Sequence, residues 1–328
     1  MNPRKRDFLS VAAALLGSGA LPARSQPATF GSRPVRIVVP NAPGGAADLT
    51  ARTLAQKLAP ALGTSVVIEN RPGAGGVVAG ELVARSEPDG HTLLLVSSGT
   101  AVSAALFKSL PFDTLADFAP VSMLATFDLA LVVAEGGRFG SLADLLAWAR
   151  ANPGKLNIGT PNVGTTQNLA AELFKATAGI DAQVVPFNGT PPVITALRGG
   201  QIDAAVDILG PVMGQIQSQV IRPLAVLGRQ RAAQLPSVPT AQESGGPLAG
   251  FDVTSWNGLA VPARTDARLV ERLSREVQAA LSQPDVKKRL LDLNLVAQGS
   301  TPAQLGTRLA ADIQRWNDVI TRAKIPRQ

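Results

Sequence analysis

The sequence predicts an α/β protein of two lobes, each a mainly parallel sheet flanked by helices, with a ligand cleft between them. Three observations predict it. Short β-branched or leucine-rich runs alternate with amphipathic helical stretches in both halves of the chain, the βαβ order that builds parallel sheets covered by helices. Glycine-rich or hydroxyl-rich loops follow several of these runs, at strand ends where open parallel sheets present ligand-binding groups. The chain has 328 residues, long enough for two domains.

The first lobe opens on Val35–Val39, a β-branched strand that stops at Pro40. The loop Asn41-Ala-Pro-Gly-Gly-Ala-Ala-Asp48 leads into a helix over Asp48–Leu62, with Leu49, Leu54 and Leu58 near one face. A strand over Ser65–Glu69, the loop Asn70–Gly76 and a helix over Val77–Arg85 follow. Thr92–Val96 is a strand ending in the loop Ser97-Ser-Gly-Thr100. Two apolar runs, 118–125 and 129–134, read as strands leaving this lobe.

The second lobe starts at Ser141, an N-cap for Leu142–Ala151. Leu156–Gly159 is a short strand, Thr160–Thr166 a loop and Gln167–Ala178 a helix. Ala182–Phe187 is a strand, Pro191–Gly199 a helix and Ile202–Ile208 a strand that Gly210-Pro211 breaks. Pro223–Leu227 is a further strand. The tail returns to helix over Asp266–Ser282, Asp285–Leu293 and Thr301–Ala323, the last with Thr301 as cap and Pro302 at the first helical position. The expected division is residues 1–25 as an export signal, 26–128 with 253–328 as one lobe, and 129–252 as the other.

Composition excludes several functions. Hydrophobic residues make up 45% and charged residues 17%, a globular composition. Of the net charge of +7, residues 1–25 supply +3 (four basic side chains against Asp7), which leaves +4. That is too mild for nucleic acid, and no basic run with interleaved aromatics exists. With no cysteine, no tyrosine and one histidine, His91, the chain has little material for a metal site, a nucleophilic triad or acid–base catalysis. No cofactor fingerprint completes itself. In Gly73-Ala-Gly-Gly-Val-Val-Ala-Gly80, valine stands at position 78 where a dinucleotide motif needs its third glycine.

Residues 1–25 have the layout of a secretory signal, with Arg4-Lys5-Arg6, an apolar Phe8–Leu21 and small residues before Gln26. Lys5-Arg6 approaches the twin-arginine pattern without matching it, so both export routes stay open. No later apolar run approaches roughly 18 residues.

Two of the strand-end loops open helices, one in each lobe. Their free backbone N–H groups and helix dipoles favour an anion, and Gly44 and Gly45 admit a ligand to the main chain. Two such mouths facing each other could hold the two ends of a dicarboxylate. Ser97, Ser98, Thr100, Thr165 and Thr166 would add hydroxyls. Asp48 complements its helix dipole, bonds amides of its loop, or bonds an ammonium group of the ligand. Asp203 and Asp207 alternate with apolar residues, and either one faces the cleft or both cap strand ends. Trp256 either walls the pocket or packs in the core.

These stretches resemble the periplasmic solute-binding proteins of tripartite tricarboxylate transporters, the Bug-type receptors. The resemblance rests on Arg33-Pro-Val-Arg-Ile-Val-Val-Pro with Pro43-Gly-Gly-Ala-Ala-Asp48, Val67-Ile-Glu-Asn-Arg-Pro-Gly-Ala-Gly-Gly76, Pro88-Asp-Gly-His-Thr92, Gly164-Thr-Thr166, Val185-Pro-Phe-Asn-Gly189, Leu235-Pro-Ser-Val-Pro-Thr240 and Trp256-Asn-Gly-Leu259. It covers nearly all of residues 33–322. It implies a two-lobed, Venus-flytrap fold of the type II periplasmic class, and a receptor, not an enzyme, that passes carboxylated small molecules to membrane permease subunits. It implies a ligand contacted by Pro43, Gly44, Asp48, Ser97, Ser98, Thr100, Gly164, Thr165, Thr166, Asp207 and Trp256, with no metal, no cofactor and a monomeric state. The chain departs from the family pattern at Asn168, at Phe187-Asn188 and at His91, which leaves the ligand's identity open. The rival readings are an exported α/β enzyme acting on a small organic acid and a ligand-sensing receptor for a two-component system.

Overall fold

The computed structural model describes residue 30 and residues 33–328. The segment read as an export signal lies outside the described residues. The first strands and helices are β1 (Val35–Val39), α1 (Ala46–Leu62), β2 (Val66–Asn70), α2 (Val77–Ala84), β3 (Thr92–Ser97) and α3 (Ser98–Leu106). A long strand, β4 (Phe118–Ala134), then leads to α4 (Leu142–Ala151), β5 (Leu156–Pro161), α5 (Thr166–Ala178), β6 (Ala182–Phe187), α6 (Thr190–Arg198), β7 (Ala204–Ile208), α7 (Leu209–Gln217) and β8 (Ile221–Val226). The chain returns through β9 (Thr254–Pro262) and closes with α8 (Ala267–Ser282), α9 (Pro284–Asp292), β10 (Val296–Ala297) and α10 (Pro302–Arg322).

Local sequence explains the helix ends. α1 stops at Gly63, whose φ of 71° is the left-handed conformation glycine adopts without strain. α10 starts with a capping box between Thr301 and Gln304, with Pro302 in the first turn. Asp266 caps α8 by accepting from the Arg268 N–H.

β4 explains the two-lobed shape. Up to Asp128 it pairs antiparallel with β9, Asp128 lying opposite Thr254. From Leu129 it pairs antiparallel with β7, Leu129 lying opposite Ile208, and Ala130 onward also pairs with β8. One strand therefore serves two sheets. The path β2-β1-β3-β9-β4-β7-β5-β6 runs through both. β1, β2 and β3 are mutually parallel on one side of the switch, and β5, β6 and β7 on the other.

Each lobe has its own core. Ile37, Leu54, Leu58, Leu273 and Val277 belong to one cluster, and Val132, Val193, Leu197 and Val212 to another. A third cluster bridges the lobes through Val102, Leu131, Phe174, Trp256 and Trp316. Burial on this scale is the main stabilising term of the fold.

Four readings of the sequence need correction. The runs at 118–125 and 129–134 form one strand. The polar residues between them mark a change of partner, not a turn. Ser97-Ser-Gly-Thr100 is no loop: Ser97 caps α3, accepting from the Gly99 N–H at 3.1 Å while Thr100 Oγ1 accepts from the Ser97 N–H at 3.0 Å. Turn and cap chemistry use the same residues, so the sequence alone does not separate them. Gly210-Pro211 does not break the chain but sits in the first turn of α7, where proline lacks no needed hydrogen bond. Thr254–Pro262, to which the sequence reading assigns no element, is the strand β9. Gly258 packs closely there: a Cβ would lie 3.0 Å from the Leu305 side chain and 3.1 Å from the Ser122 carbonyl.

Candidate functional site: a cleft between two sheet edges

The strand registers fix where the loops go. β3 runs antiparallel to β9, Ser97 opposite Asn257, so the carboxyl ends of β1, β2 and β3 lie at the edge where β4 reaches Asp128. β7 ends at Ile208 opposite Leu129, so the carboxyl ends of β5, β6 and β7 lie at the edge where β4 enters the second sheet. Six parallel strands thus present their carboxyl ends toward one crossing. That is the place where open α/β sheets bind ligands.

On the first edge, no side chain caps α1 at Gly45. Its exposed Pro43-Gly44-Gly45 loop is held by Asp48, which is buried. One Asp48 oxygen accepts from the Gly44 N–H at 2.9 Å and from Arg52 Nε at 2.9 Å; the other accepts from Asn70 Nδ2 at 3.0 Å. Asn70 also donates to the Asn41 carbonyl, tying the end of β2 to this loop. Burial raises the Asp48 pKa, but the Arg52 guanidinium, the Gly44 N–H and the Asn70 amide outweigh it and hold the carboxyl below the usual aspartate value. Asp48 is therefore an ionised, fully engaged brace for the loop.

Ser97 and Thr100 are half-buried at the mouth of α3. Ser98 is buried, and its Oγ accepts from the Trp256 N–H at 2.9 Å and lies 3.2 Å from Ser255 Oγ. Trp256 does not wall the cleft. Its side chain is fully buried, and its indole N–H donates to Asp312 Oδ2 at 2.6 Å. Of the two readings the sequence allowed, the structure has the core one. Ser98→Ala leaves a buried backbone N–H unpaired, so it is expected to lower stability by about 1–3 kcal/mol in urea unfolding.

On the second edge, Thr165 caps α5 by accepting from the Asn168 N–H at 3.2 Å. Asn168 Oδ1 accepts from the Gly164 N–H at 3.4 Å, and Asn168 Nδ2 donates to Thr160 Oγ1 at 3.1 Å. Gly164 has a φ of +77°, and a Cβ there would lie 2.4 Å from Leu106 of α3. The mouth of α5 therefore stands against the C-terminal end of α3. Thr166 is buried; Gly164 and Thr165 are half-buried.

Asp207, the last residue but one of β7, is fully buried. Its Oδ1 accepts from the Ile208 N–H at 2.7 Å and from Gln167 Nε2 at 3.3 Å. Oδ2 has no hydrogen-bond partner. The Thr190 hydroxyl is near enough to favour the ionised carboxyl as a donor, but no bond of ordinary geometry joins it to Oδ2. Burial raises the Asp207 pKa, and the Thr190 hydroxyl, the Ile208 N–H and the Gln167 amide offset this only in part. Asp203 lies at the other end of its segment, accepting from the Asn157 N–H and pairing with Arg138. Sequence reasoning missed Asn70 and Gln167. Asn70 heads the Asn-Arg-Pro-Gly stretch, and Gln167 follows the hydroxyl pair at the mouth of α5; both signals were present.

Two sheets sharing crossing strands, with their carboxyl edges around one cleft, define a two-lobed periplasmic binding protein. Residues 50–325 match the family described as "Tripartite tricarboxylate transporter family receptor". The chain is 34% identical to protein BugT of Bordetella pertussis, over 97% of this chain and 98% of that one. Among solved structures it is similar to Rpa4515 of R. palustris with adipate, at 31% identity and a TM-score of 0.81, covering 90% of this chain and 99% of that one. It is also similar to MatC of Rhodopseudomonas palustris with bound malate, at 33% identity and a TM-score of 0.76, covering 89% and 100%. The chain belongs to the tripartite tricarboxylate transporter receptor family. It is a solute-binding receptor of the periplasmic class and not an enzyme.

Proposed function

We propose that this chain captures a small carboxylated organic molecule in the periplasm and delivers it to the permease subunits of a tripartite transporter. The observation that carries this reading is the convergence of six strand ends on one crossing, with the uncapped N-terminus of α1 among them. Unsatisfied N–H groups at such a helix mouth suit a carboxylate. The adipate and malate of the two related structures support an acid of similar size. Pro43, Gly44, Ser97, Thr100, Gly164, Thr165 and Thr166 are assigned to the ligand surface. Asp48, Ser98, Asp207 and Trp256 act from behind it by holding loops and helix mouths. The lobes are taken as 26–128 with 253–328, and 129–252. The protein is taken as a monomer, exported by its N-terminal signal.

Ligand closure should stabilise the folded chain by mass action, by about 2.7 kcal/mol at a concentration a hundredfold above Kd. A thermal-shift screen of small mono-, di- and tricarboxylates is expected to give at least one concentration-dependent rise of several degrees. A rise with a neutral sugar, and with none of the acids, would reject the reading.

A further inference from the structure

The two rims of the cleft carry different charge. On the first, Asp48 is paired with Arg52 and Glu69 with Arg71. Each acid there has a cation of its own, and the mouth of α1 adds the positive end of its dipole. On the second rim, segments 160–168, 187–193 and 206–213 contain no lysine or arginine, and their one acid is Asp207. The elements around it bring no counter-charge. α5 has no charged residue before Glu172, which pairs with Lys175. α6 carries only Arg198 at its far end, and α7 and β5 carry none. β4 offers Asp128, two residues from the Ala130 that faces Asp207, and β8 offers Arg222, which pairs with Glu135.

Asp207 also occupies a position built for an anion. Three helices open around it: α5 through Gln167, α6 through Thr190 and α7 through Ile208. Neither α6 nor α7 has a side-chain cap. The carboxyl is fully buried among these helix mouths, and one of its oxygens has no hydrogen-bond partner. Gln167, which donates to Asp207, and Thr190 are both half-buried.

We infer that the cleft is polar along its length and selects a compact acid with one carboxylate, for the first rim, and a hydrogen-bond donor such as an amine at the opposite end, for the Asp207 rim. This rests on the carboxylate-receptor reading above and narrows it. A second carboxylate at the Asp207 rim would meet a like charge in a medium of low dielectric, where such repulsion is strong.

The test compares acids of matched length by calorimetry: at four, five and six carbons, the α,ω-dicarboxylate, the ω-hydroxy acid and the ω-amino acid. At pH 8.5 the wild-type protein is expected to bind the best amino or hydroxy acid at least about tenfold tighter than the dicarboxylate of that length. Asp207→Asn should shrink this ratio to within about threefold at the same pH, where every carboxylate ligand stays ionised. Should Asp207→Asn fail to fold, Gln167→Glu, which adds a negative charge at the half-buried surface, is expected to widen the ratio. A dicarboxylate that binds as tightly as its amino and hydroxy counterparts, as the two related structures would suggest, overturns the inference and leaves the receptor reading intact. So does a ratio that neither variant moves. Binding by none of these acids, together with no carboxylate response in the thermal screen, would instead reject the receptor reading itself.

Discussion

Trp256→Ala is expected to cost about 3–5 kcal/mol of stability, the range for emptying a buried tryptophan site. The size follows from what Trp256 joins. Its ring is fully buried in the cluster that bridges the lobes, with Trp316 and Phe174. Its indole N–H donates to Asp312 on α10, and Asp312 also accepts from Arg308 Nε at 2.9 Å. Its backbone N–H donates to Ser98 at the start of α3. Removing the ring opens a cavity and strips one donor from a buried carboxylate. Trp256→Phe keeps most of the volume and loses only the donor, so about 1–3 kcal/mol is expected. Urea unfolding of the two variants measures both terms. Equal, small losses would mean that the bridging cluster does not carry the joint between the lobes. Because Ser98 opens α3 beside Ser97 and Thr100, the alanine variant should also weaken the ligand-induced thermal shift.

Much of this architecture was legible because periodicity is a local signal. The alternation of strands and helices, the glycine stop of α1 and the capping of α10 each depend on a few neighbouring residues. The convergence of the loops was legible too, since parallel strands place their carboxyl ends together. What escaped was non-local. Nothing in 118–134 announces that one strand serves two sheets, because the switch at Asp128 and Leu129 depends on β7 and β9. The roles of Ser98 and Trp256 were ambiguous for the same reason: a serine at a helix start and a tryptophan near a loop suit a pocket or a core equally. Only their mutual hydrogen bond, across 158 positions of sequence, decides between them. The equivalence of the two mouths also failed. Asp48 has Arg52 one turn along the same helix, a spacing visible in sequence. The isolation of Asp207 depends on which segments surround it in space.

The joint itself makes the last prediction. Asp128 is the final β4 residue paired with β9, and the segments at the crossing are tied by the Leu227 N–H to the Leu129 carbonyl at 2.9 Å and the Val253 N–H to the Leu227 carbonyl at 2.8 Å. Gly228 passes so close that a Cβ there would lie 2.9 Å from Asp128 Oδ1 and from Thr254 Cγ2. Burial, and then the charge of Asp252, push the Asp128 pKa up to about 6. Arg229 lies on Asp252 and Arg308 reaches Thr254, so both guanidiniums are directed at neighbours of Asp128. An acid whose pKa is higher folded than unfolded favours folding fully below the unfolded value near 3.8, and loses that contribution as pH rises through about 6. Asp128→Asn, neutral at every pH, should therefore match the wild type near pH 4 and exceed it by about 2 kcal/mol at pH 7.5, after a discount for partial solvent screening. Urea midpoints for both proteins from pH 4 to 7.5 give the difference curve. Parallel profiles would show that the Asp128 carboxylate is well solvated, and that the crossing is looser than its backbone hydrogen bonds imply.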